Sequence, residues 1–157
     1  MIDDIDLKLI LELQVNGRET FVDLGGKIGV SEGTVRKRYK RLVDEGIISV
    51  TALPNVRKMG FNVIGVMAIQ VRMEDLNKAA DTLAQDGRVC YLTMVAGRYD
   101  LIAIIVAKST EDLYDFIEHK ITSVSGIVRS ETLVSLSNFK GTLPLVDISK
   151  LMESISH

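Results

Sequence analysis

The segment SEGTVRKRYKRLVDEGII, which begins at Ser31, carries five cationic side chains within the six residues 36–41. A dense group of guanidinium and ammonium groups suggests contact with phosphates. The whole chain of 157 residues nevertheless has a formal net charge of −2, so the positive charge is local. A nonspecific nucleic-acid coat protein is more often basic overall, and the composition therefore favours one defined binding segment.

Helical periodicity surrounds this segment. The first predicted helix is capped by Asp3 or Asp4 and ends at Asn16-Gly17, two residues that tolerate left-handed backbone. Its apolar positions, mainly three and four residues apart, are Ile5, Leu7, Leu9, Ile10, Leu13 and Val15. A second helix is predicted at 21–28, with Phe21, Leu24 and Ile28 on its inner face. The pair Gly25-Gly26 inside it should cost about 1 kcal/mol per glycine relative to alanine.

The third predicted helix contains the cations. After a turn at Gly29-Val30, Ser31 caps it by accepting a hydrogen bond from the amide of Thr34, and Gly46 ends it. Glu32 lies in the first turn, where its charge suits the helix dipole. The inner stripe is predicted to be Val35, Tyr39, Leu42 and Val43. Residues 47–50 alternate weakly and predict a short strand at most. The whole pattern is typical of a helix-turn-helix unit.

The cationic helix face has two interpretations. A solvated helix surface is the ordinary explanation of a charge run. Asp and Glu are absent between Thr34 and Val43, however, so i,i+4 ion pairs cannot form within that stretch. We therefore expect an uncompensated face that binds DNA phosphates, with one or two side chains reaching guanine edges. The predicted DNA-binding residues are Ser31, Glu32, Gly33, Thr34, Arg36, Lys37, Arg38, Lys40 and Arg41.

The second half of the chain predicts alternating strands and helices in the order βαββαβ. The predicted strands are 63–71, 89–95, 101–107 and 127–136, and the predicted helices are 74–86 and 110–121. The stretch AIQVRMEDL at Ala68 is echoed by AIIVAKSTEDL at Ala103, an internal repeat. Two such halves form a four-stranded antiparallel sheet with both helices on one face, the ferredoxin-like arrangement. The predicted fold class is therefore α+β, with a helix-turn-helix domain at 1–52, a hinge at 53–62 and a ferredoxin-like domain at 63–157.

The predicted strands are unusually apolar for a sheet with one free face. Residues 101–106 contain nothing polar. Since the two helices cover only one face, a second copy of the sheet is the simplest cover for the other, and we expect at least a dimer. The tail predicts a short amphipathic helix with Ile148, Leu151, Met152 and Ile155 on one side. Its packing surface, either a neighbouring subunit or the sheet, stays open.

Composition argues against several classes of protein. The first residues, MIDDIDLKLI, are acidic where a secretory signal needs a basic patch, and no apolar run is long enough to span a bilayer. Cys90, the single cysteine, is expected to be a small buried hydrophobe, and His119 and His157 are far apart in sequence. We therefore expect a cytoplasmic protein with no cofactor, no metal site and no catalytic activity.

The sequence resembles the Lrp/AsnC (feast/famine) family of transcriptional regulators. The resemblance lies in DDIDLKLILELQVNGR, in IGVSEGTVRKRYKRLVDEGII, and in GRYDL followed by GIVRSETLVSLS. It implies dimers that pair through their sheets and assemble further, often to octamers. It also implies DNA read by the third helix and an amino acid or similar small metabolite bound between dimers. The Gly-Gly pair departs from the usual helix formers of the second helix.

The resemblance assigns an effector site to two segments: Gly97, Arg98, Tyr99 and Asp100 in a turn, and Glu131, Thr132, Leu133, Val134 and Ser135 on the last strand. Arg98 and Asp100 would meet the carboxylate and ammonium of an amino acid, and Thr132 and Ser135 would add neutral hydrogen bonds. A tight hairpin loop is the alternative explanation of the turn. Glu131 stands where some amino-acid-responsive members have a basic residue. This favours a cationic or amide effector side chain or changes the response altogether.

Two other functions are weighed against effector-responsive regulation. One is an architectural protein that wraps DNA without an effector. The other is an enzyme, because some Lrp-like proteins are tetrapyrrole decarboxylases with a degraded reading helix and histidines at the working site. The reading helix is intact in this sequence and its two histidines are separated, so catalysis is disfavoured.

Overall fold

Helices α1 (Asp4–Val15), α2 (Phe21–Ile28) and α3 (Glu32–Asp44) build the first of two compact units, Met1–Ala52 and Leu53–His157. They belong to a computed structural model that describes residues 1–141 and 147–154. The predicted cap of α1 is confirmed, because the carboxylate of Asp3 accepts hydrogen bonds from the amides of Ile5 and Asp6. The Asp6 carboxylate accepts a hydrogen bond from the Asp3 amide in return, which completes a capping box.

The turn between α2 and α3 explains the glycine pair. A Cβ atom on Gly25 would lie 2.7 Å from the Val30 carbonyl oxygen, whereas one on Gly26 would meet nothing within 4 Å. Gly29 ends α2 with a φ of 77°, in the left-handed region that favours glycine. Both glycines carry the predicted helix cost, but the close approach of the turn requires Gly25, and only at Gly26 is there room for an alanine to remove that cost.

The core of the first unit is formed by leucine and valine side chains from all three helices. Leu9, Leu24, Val35 and Leu42 are fully buried, with Tyr39 among the half-buried residues around them. The predicted inner stripe of α3 is wrong at Val43, which is exposed, and the apolar positions Leu7 and Val15 of α1 are exposed as well. Val43 lies at the edge of its helical stripe, whereas Leu7 and Val15 lie on the side of α1 that faces away from Leu9.

The predicted short strand after α3 is not formed. Gly46 adopts a φ of 67°, and the amides of Ile47 and Ile48 both donate to the carbonyl of Leu42. Both bonds go to one carbonyl of the last helical turn, so the two amides are used by the helix terminus rather than by a sheet.

The second unit contains the predicted four strands and two helices, followed by the tail helix. The strands are β1 (Val63–Val71), β2 (Val89–Met94), β3 (Leu101–Ala107) and β4 (Ile127–Val134). Helix α4 (Leu76–Ala84) follows a 3-10 turn at Met73–Asp75, and α5 (Thr110–Asp115) continues as a π-helix at Phe116–Ile121. Helix α6 spans Ile148–Ser154.

The sheet is antiparallel with the strand order β2-β3-β1-β4, and the predicted α+β class with its ferredoxin-like second domain is confirmed. On one face, Met67, Ile69 and Ala103 pack with Leu83 of α4 and Phe116 in a single core cluster. Both covering helices therefore lie on this face, as the internal repeat predicts.

The opposite face of the sheet is partly covered by the chain itself. Ile64 and Val106 pack there with Val56 and Phe61, which lie within the predicted hinge, and with Leu151 of α6. Helix α6 thus packs on the sheet and resolves the alternative left open by the sequence, although the predicted position 155 lies outside the described residues. Our expectation that a second copy of the sheet covers this face is wrong for this part of it, which residues of the same chain cover.

The remainder of that face carries an apolar patch that is partly open to solvent, beside the polar side chains of Gln70, Arg129 and Glu131. Val66 pairs with Ile104 on one side and with Leu133 on the other, and Ile104 pairs with Tyr91. Residues opposite each other in an antiparallel pair share a face. Leu133 is 60% exposed and Tyr91 45% exposed.

Within the described residues, no helix has the length and apolar character needed to cross a membrane.

Candidate DNA-reading helix and effector site

The N-terminus of α3 is capped by Ser31. Ser31 has extended backbone, and its Oγ accepts the Thr34 amide at 3.2 Å, as predicted. The first amides of a helix have no acceptor within the helix. Because the cap takes the Thr34 amide, those of Glu32 and Gly33 remain to meet an oxyanion beside the positive end of the helix dipole.

Four of the five cations of α3 are compensated, so the prediction of an uncompensated face is wrong for all of them except Lys37. Arg36 donates to Glu32 at 2.6 Å, and Lys40 lies 2.7 Å from the Asp44 carboxylate. Both pairs span four residues and use acids just outside the stretch 34–43. The absence of acids within residues 34–43 therefore does not leave Arg36 and Lys40 unpaired, because Glu32 and Asp44 lie within one helical turn of them.

Arg38 and Arg41 point toward the start of α1. The Arg38 Nη1 lies 2.5 Å from the Asp3 carboxylate and 3.0 Å from Asp6 Oδ1, and the Arg41 Nη2 lies 2.5 Å from Asp6 Oδ2. Asp6 is fully buried. Burial favours the neutral acid, but hydrogen bonds from the Asp3 amide, Arg38 and Arg41 outweigh it and lower the pKa of Asp6 to about 2.

Lys37 differs from its neighbours. It is exposed, and no ion pair of its ammonium is found in the described part of the chain. At about 100° per helical residue, Lys37 lies nearly opposite the buried stripe of Val35 and Leu42. Gly33 and Lys40 share this outward stripe, one turn before Lys37 and one turn after it.

Sequence reasoning missed Asp6, although the sequence contains a signal for it. Asp6 lies three residues before Leu9 and seven before Leu13, on the apolar stripe of α1. A carboxylate on a buried stripe needs a cation and hydrogen-bond donors. The nearest surplus of cations in the helix-turn-helix unit is α3, so this stripe position indicates the pairing that the structure contains.

The predicted turn of the effector site is a hairpin loop between β2 and β3. Gly97 has a φ of 154°, and the amide of Val95 donates to the carbonyl of Asp100 at 2.9 Å. The Asp100 carboxylate accepts the amide of Val71 at 2.8 Å, and its own amide donates to Ile69. Asp100 therefore ties the loop to the end of β1, and one of its carboxylate oxygens is engaged in this contact.

Three of the predicted effector residues meet at the side of this loop. The Tyr99 hydroxyl donates a hydrogen bond to Glu131 of β4, and this bond raises the pKa of Tyr99. The Arg98 guanidinium lies 5.6 Å from the centre of the Tyr99 ring. A cation, a hydroxyl and a carboxylate are thus adjacent on the surface, a set that suits a zwitterion.

The residues predicted on β4 are divided between the two faces of the sheet. Thr132 pairs with Met67 on the helix-covered face, and its methyl group would lie 3.4 Å from a Cβ on Gly65. Glu131 and Leu133 lie on the other face. Val134 pairs with Gly65 on the side of Thr132, and the amide of Ser135 donates to the Ile64 carbonyl. One small ligand on one face cannot meet all five side chains.

Arg129 is a neighbour that the sequence analysis did not include. It pairs with Gln70 two residues before Glu131, so it shares the face of Glu131, and its charge acts on the Tyr99 hydroxyl.

Two further features of this unit lie apart from the predicted residues. A cavity of about 620 Å³ is lined by Leu53, Pro54, Asn55, Val56, Arg57, Ile64, Leu136, Ser137, Asn138 and Gly141. Asp115, Glu118 and His119 form a fully exposed trio that has metal-ligand atoms but lacks a buried ligand.

Comparison with known proteins decides the family. Residues 2–43 match the model of the AsnC-type helix-turn-helix domain, and residues 63–145 match that of the Lrp/AsnC ligand binding domain. The chain belongs to the Lrp/AsnC family. The HTH-type transcriptional regulator Ptr1 of Methanocaldococcus jannaschii is 32% identical over 141 residues, which cover 89% of this chain and 95% of the relative. LrpA of Pyrococcus horikoshii is 34% identical over 142 residues, covering 89% of this chain and all of the relative.

Solved structures of Lrp/AsnC proteins share the fold. B. subtilis LrpC is 27% identical with a TM-score of 0.80, and covers 90% of this chain and 99% of its own. E. coli AsnC superposes with a TM-score of 0.85 at 24% identity, covering 90% of this chain and 97% of its own. The regulator NMB0573 of Neisseria meningitidis, solved as a complex with L-Met, has a TM-score of 0.84 at 22% identity, covering 92% and 96%.

Proposed function

We propose that this protein is a sequence-specific DNA-binding transcriptional regulator that responds to an amino acid or related small metabolite bound between subunits. The observation that carries the proposal is the outward stripe of α3, where Gly33, Lys37 and Lys40 follow the open amides of a capped helix start. Such a stripe matches the phosphates and base edges of a major groove. Membership of a family whose relatives are transcriptional regulators supports the same function.

The contacts to DNA are proposed to begin at the helix start. Ser31, Glu32, Gly33 and Thr34 would approach a phosphate through backbone amides and hydroxyls. Arg36, Lys37 and Lys40 would follow along the groove; the ion pairs of Arg36 and Lys40 are exposed, so exchanging an acid for a phosphate costs little. Arg38 and Arg41 are also predicted to bind DNA. They lie at the edge of this face and form ion pairs with Asp6.

The effector is proposed to bind at the loop 97–100 and the adjoining part of β4. Arg98 would meet the effector carboxylate. Each of the two carboxylates has one engaged oxygen, but Glu131 is the better acceptor for the ammonium, because its side chain is exposed whereas Asp100 is half-buried. Thr132 and Val134 point to the covered face and would shape the site only indirectly. The matched ligand binding domain supports a small-molecule effector.

The exposed apolar residues on the open face of the sheet support a homodimer, and the family resemblance implies that dimers assemble further, often to octamers. Exposed Leu133 and Tyr91 beside half-buried Val66 and Ile104 form a contiguous surface of the kind that a second subunit covers. A dimer presents two α3 helices, so its sites should be imperfect palindromes with half-sites about one helical turn apart. We further propose that the protein acts in the cytoplasm and is not an enzyme.

Selection of bound duplexes from a random pool tests the proposed function. Enrichment of an imperfect palindrome, with affinity that falls steeply with salt, is the expected result. Retention of duplexes without any enriched sequence would contradict specific reading. Calorimetry with the twenty amino acids then separates the two regulator types, since heat from none of them favours an architectural protein.

A further inference from the structure

We infer that Arg38 and Arg41 do not bind DNA but clamp α3 to the start of α1 through Asp6, and that the phosphate contacts come from Arg36, Lys37 and Lys40. The inference rests on the proposed DNA-binding function and divides its predicted cations into two roles. The division follows from where each side chain is placed by the fold.

The first support is the engagement of Asp6. Its Oδ2 accepts the Asp3 amide at 3.0 Å and the Arg41 Nη2 at 2.5 Å, and its Oδ1 accepts the Arg38 Nη1 at 3.0 Å. The carboxylate is fully buried, so water cannot replace either arginine. Moving an arginine to a phosphate would leave a buried charge with half its cations, which costs more than an exposed phosphate contact returns.

The second support is exposure. The side chains of Arg38 and Arg41 are 25% and 36% exposed, against 63% for Arg36 and 75% for Lys40. The Nε of Arg41 is buried and has no hydrogen-bond partner in the described part of the chain. A guanidinium that is buried to this extent exposes few of its N–H donors to a phosphate.

The third support is electrostatic. The first turn of α1 and its cap carry Asp3, Asp4 and Asp6, acids that would repel DNA phosphates if left unneutralised. Arg38 bridges Asp3 and Asp6, so the clamp removes this repulsion beside the reading face. The two arginines thus help binding without touching DNA.

The test compares three single variants of the full chain: Lys37→Met, Arg38→Met and Arg41→Met. For each, the slope of log K against log salt is measured on one selected duplex, and unfolding is followed in urea. Lys37→Met should flatten the slope by about 0.9 per lost phosphate contact, or about 1.8 for the two α3 helices of a dimer. Its urea midpoint should be unchanged. Arg38→Met and Arg41→Met should keep the slope and lower the midpoint. A slope that flattens equally for Arg41→Met would overturn the clamp.

Three further variants complete the test, and two of them, Arg41→Lys and Asp6→Asn, keep it decisive if an arginine-to-methionine variant fails to fold. Arg41→Lys retains a charge for a phosphate but loses the planar fork, so it should lower the urea midpoint and leave the slope unchanged. Asp6→Asn should release the arginines and steepen the slope. An Asp6→Asn protein with unaltered midpoint and slope would refute the clamp. If Lys37→Met and Arg36→Met also leave the slope unaltered, the proposed DNA contacts of α3 fail, whereas the urea data still decide the clamp.

Discussion

At the scale of single residues, the charge of Asp6 is the most consequential feature of the helix-turn-helix unit. A carboxylate at a fully buried position is stable only because an amide and two guanidiniums surround it. Breaking a buried pair of this kind costs about 3–5 kcal/mol. The same contacts that hold the fold also decide which cations of α3 are left for DNA.

Asp6 should make stability depend on acid pH. Its pKa falls from 3.8 to about 2 on folding, so its contribution is present above pH 3.8 and is lost as the pH falls through about 2. We expect Asp6→Asn to cost about 3 kcal/mol near pH 7, the lower end of the range because both arginines keep some exposure. Urea unfolding from pH 6 to pH 2 measures both effects.

The control for this prediction is the difference between the variant and the parent protein across the acid range. Asp3 and Asp86 also have lowered pKa values, because each is hydrogen-bonded to an arginine, so both proteins lose stability in acid. Only the gap between the two curves reports Asp6. A gap that stays constant from pH 6 to pH 2 contradicts the assignment.

At the scale of elements, the turn that places α3 depends on one missing side chain. Gly25 allows the backbone of α2 to approach the Val30 carbonyl, and this approach sets the angle at which α3 leaves the turn. Gly26, its neighbour, meets nothing. The pair therefore offers a matched comparison between a structurally required glycine and a dispensable one.

Gly26→Ala should raise the free energy of unfolding by about 0.5–1 kcal/mol, because alanine restricts the unfolded chain and suits the helix. Gly25→Ala should lower it by about 1–3 kcal/mol, since its Cβ would press on backbone that cannot rotate away. Thermal unfolding of both variants measures the difference. Equal effects of the two substitutions would show that the turn is not tightly packed.

Helix α6 is the second element with a specific consequence. Leu151 is fully buried among Val56, Phe61, Ile64 and Val106 on the sheet face that the other helices leave bare. Leu151→Ala should therefore lower the stability of the second unit by about 2–5 kcal/mol. Glu153→Ala, at an exposed position of the same helix, should change it by less than about 0.5 kcal/mol.

Gly87 gives an independent check of the α6 position. A Cβ on Gly87 would lie 2.0 Å from the Lys150 carbonyl carbon, so Gly87→Ala should displace α6. Faster amide exchange of residues 148–152 in this variant is the expected result. Unchanged exchange would place α6 elsewhere.

At the scale of the whole molecule, the open sheet face is expected to govern assembly. Leu133→Glu puts a charge on that face and should shift the protein toward monomers in analytical ultracentrifugation. Leu11 has the same exposure of 60% but lies on α1, so Leu11→Glu is the matched control and should leave the mass unchanged. If Leu11→Glu but not Leu133→Glu caused dissociation, the subunit interface would not lie on the open face of the sheet.

The sequence by itself determined the features that depend on near neighbours. Ser31 caps α3 and Asp3 caps α1 because each bond spans two or three residues, and the strands β1 and β3 match their predicted ranges because their apolar runs have clear ends. The family resemblance added the effector loop. These signals are local, so a single chain with no coordinates suffices to find them.

Only the tertiary structure decided the contacts between residues far apart in the chain. Arg38 and Arg41 meet Asp6 across 32 and 35 residues, and Leu151 reaches a sheet face that begins near residue 64. Charge and periodicity predict which groups need partners, but they do not say which partner lies within reach. That choice depends on the packing of helices and strands. In our proposal it determines which cations of α3 form ion pairs within the protein and which contact DNA.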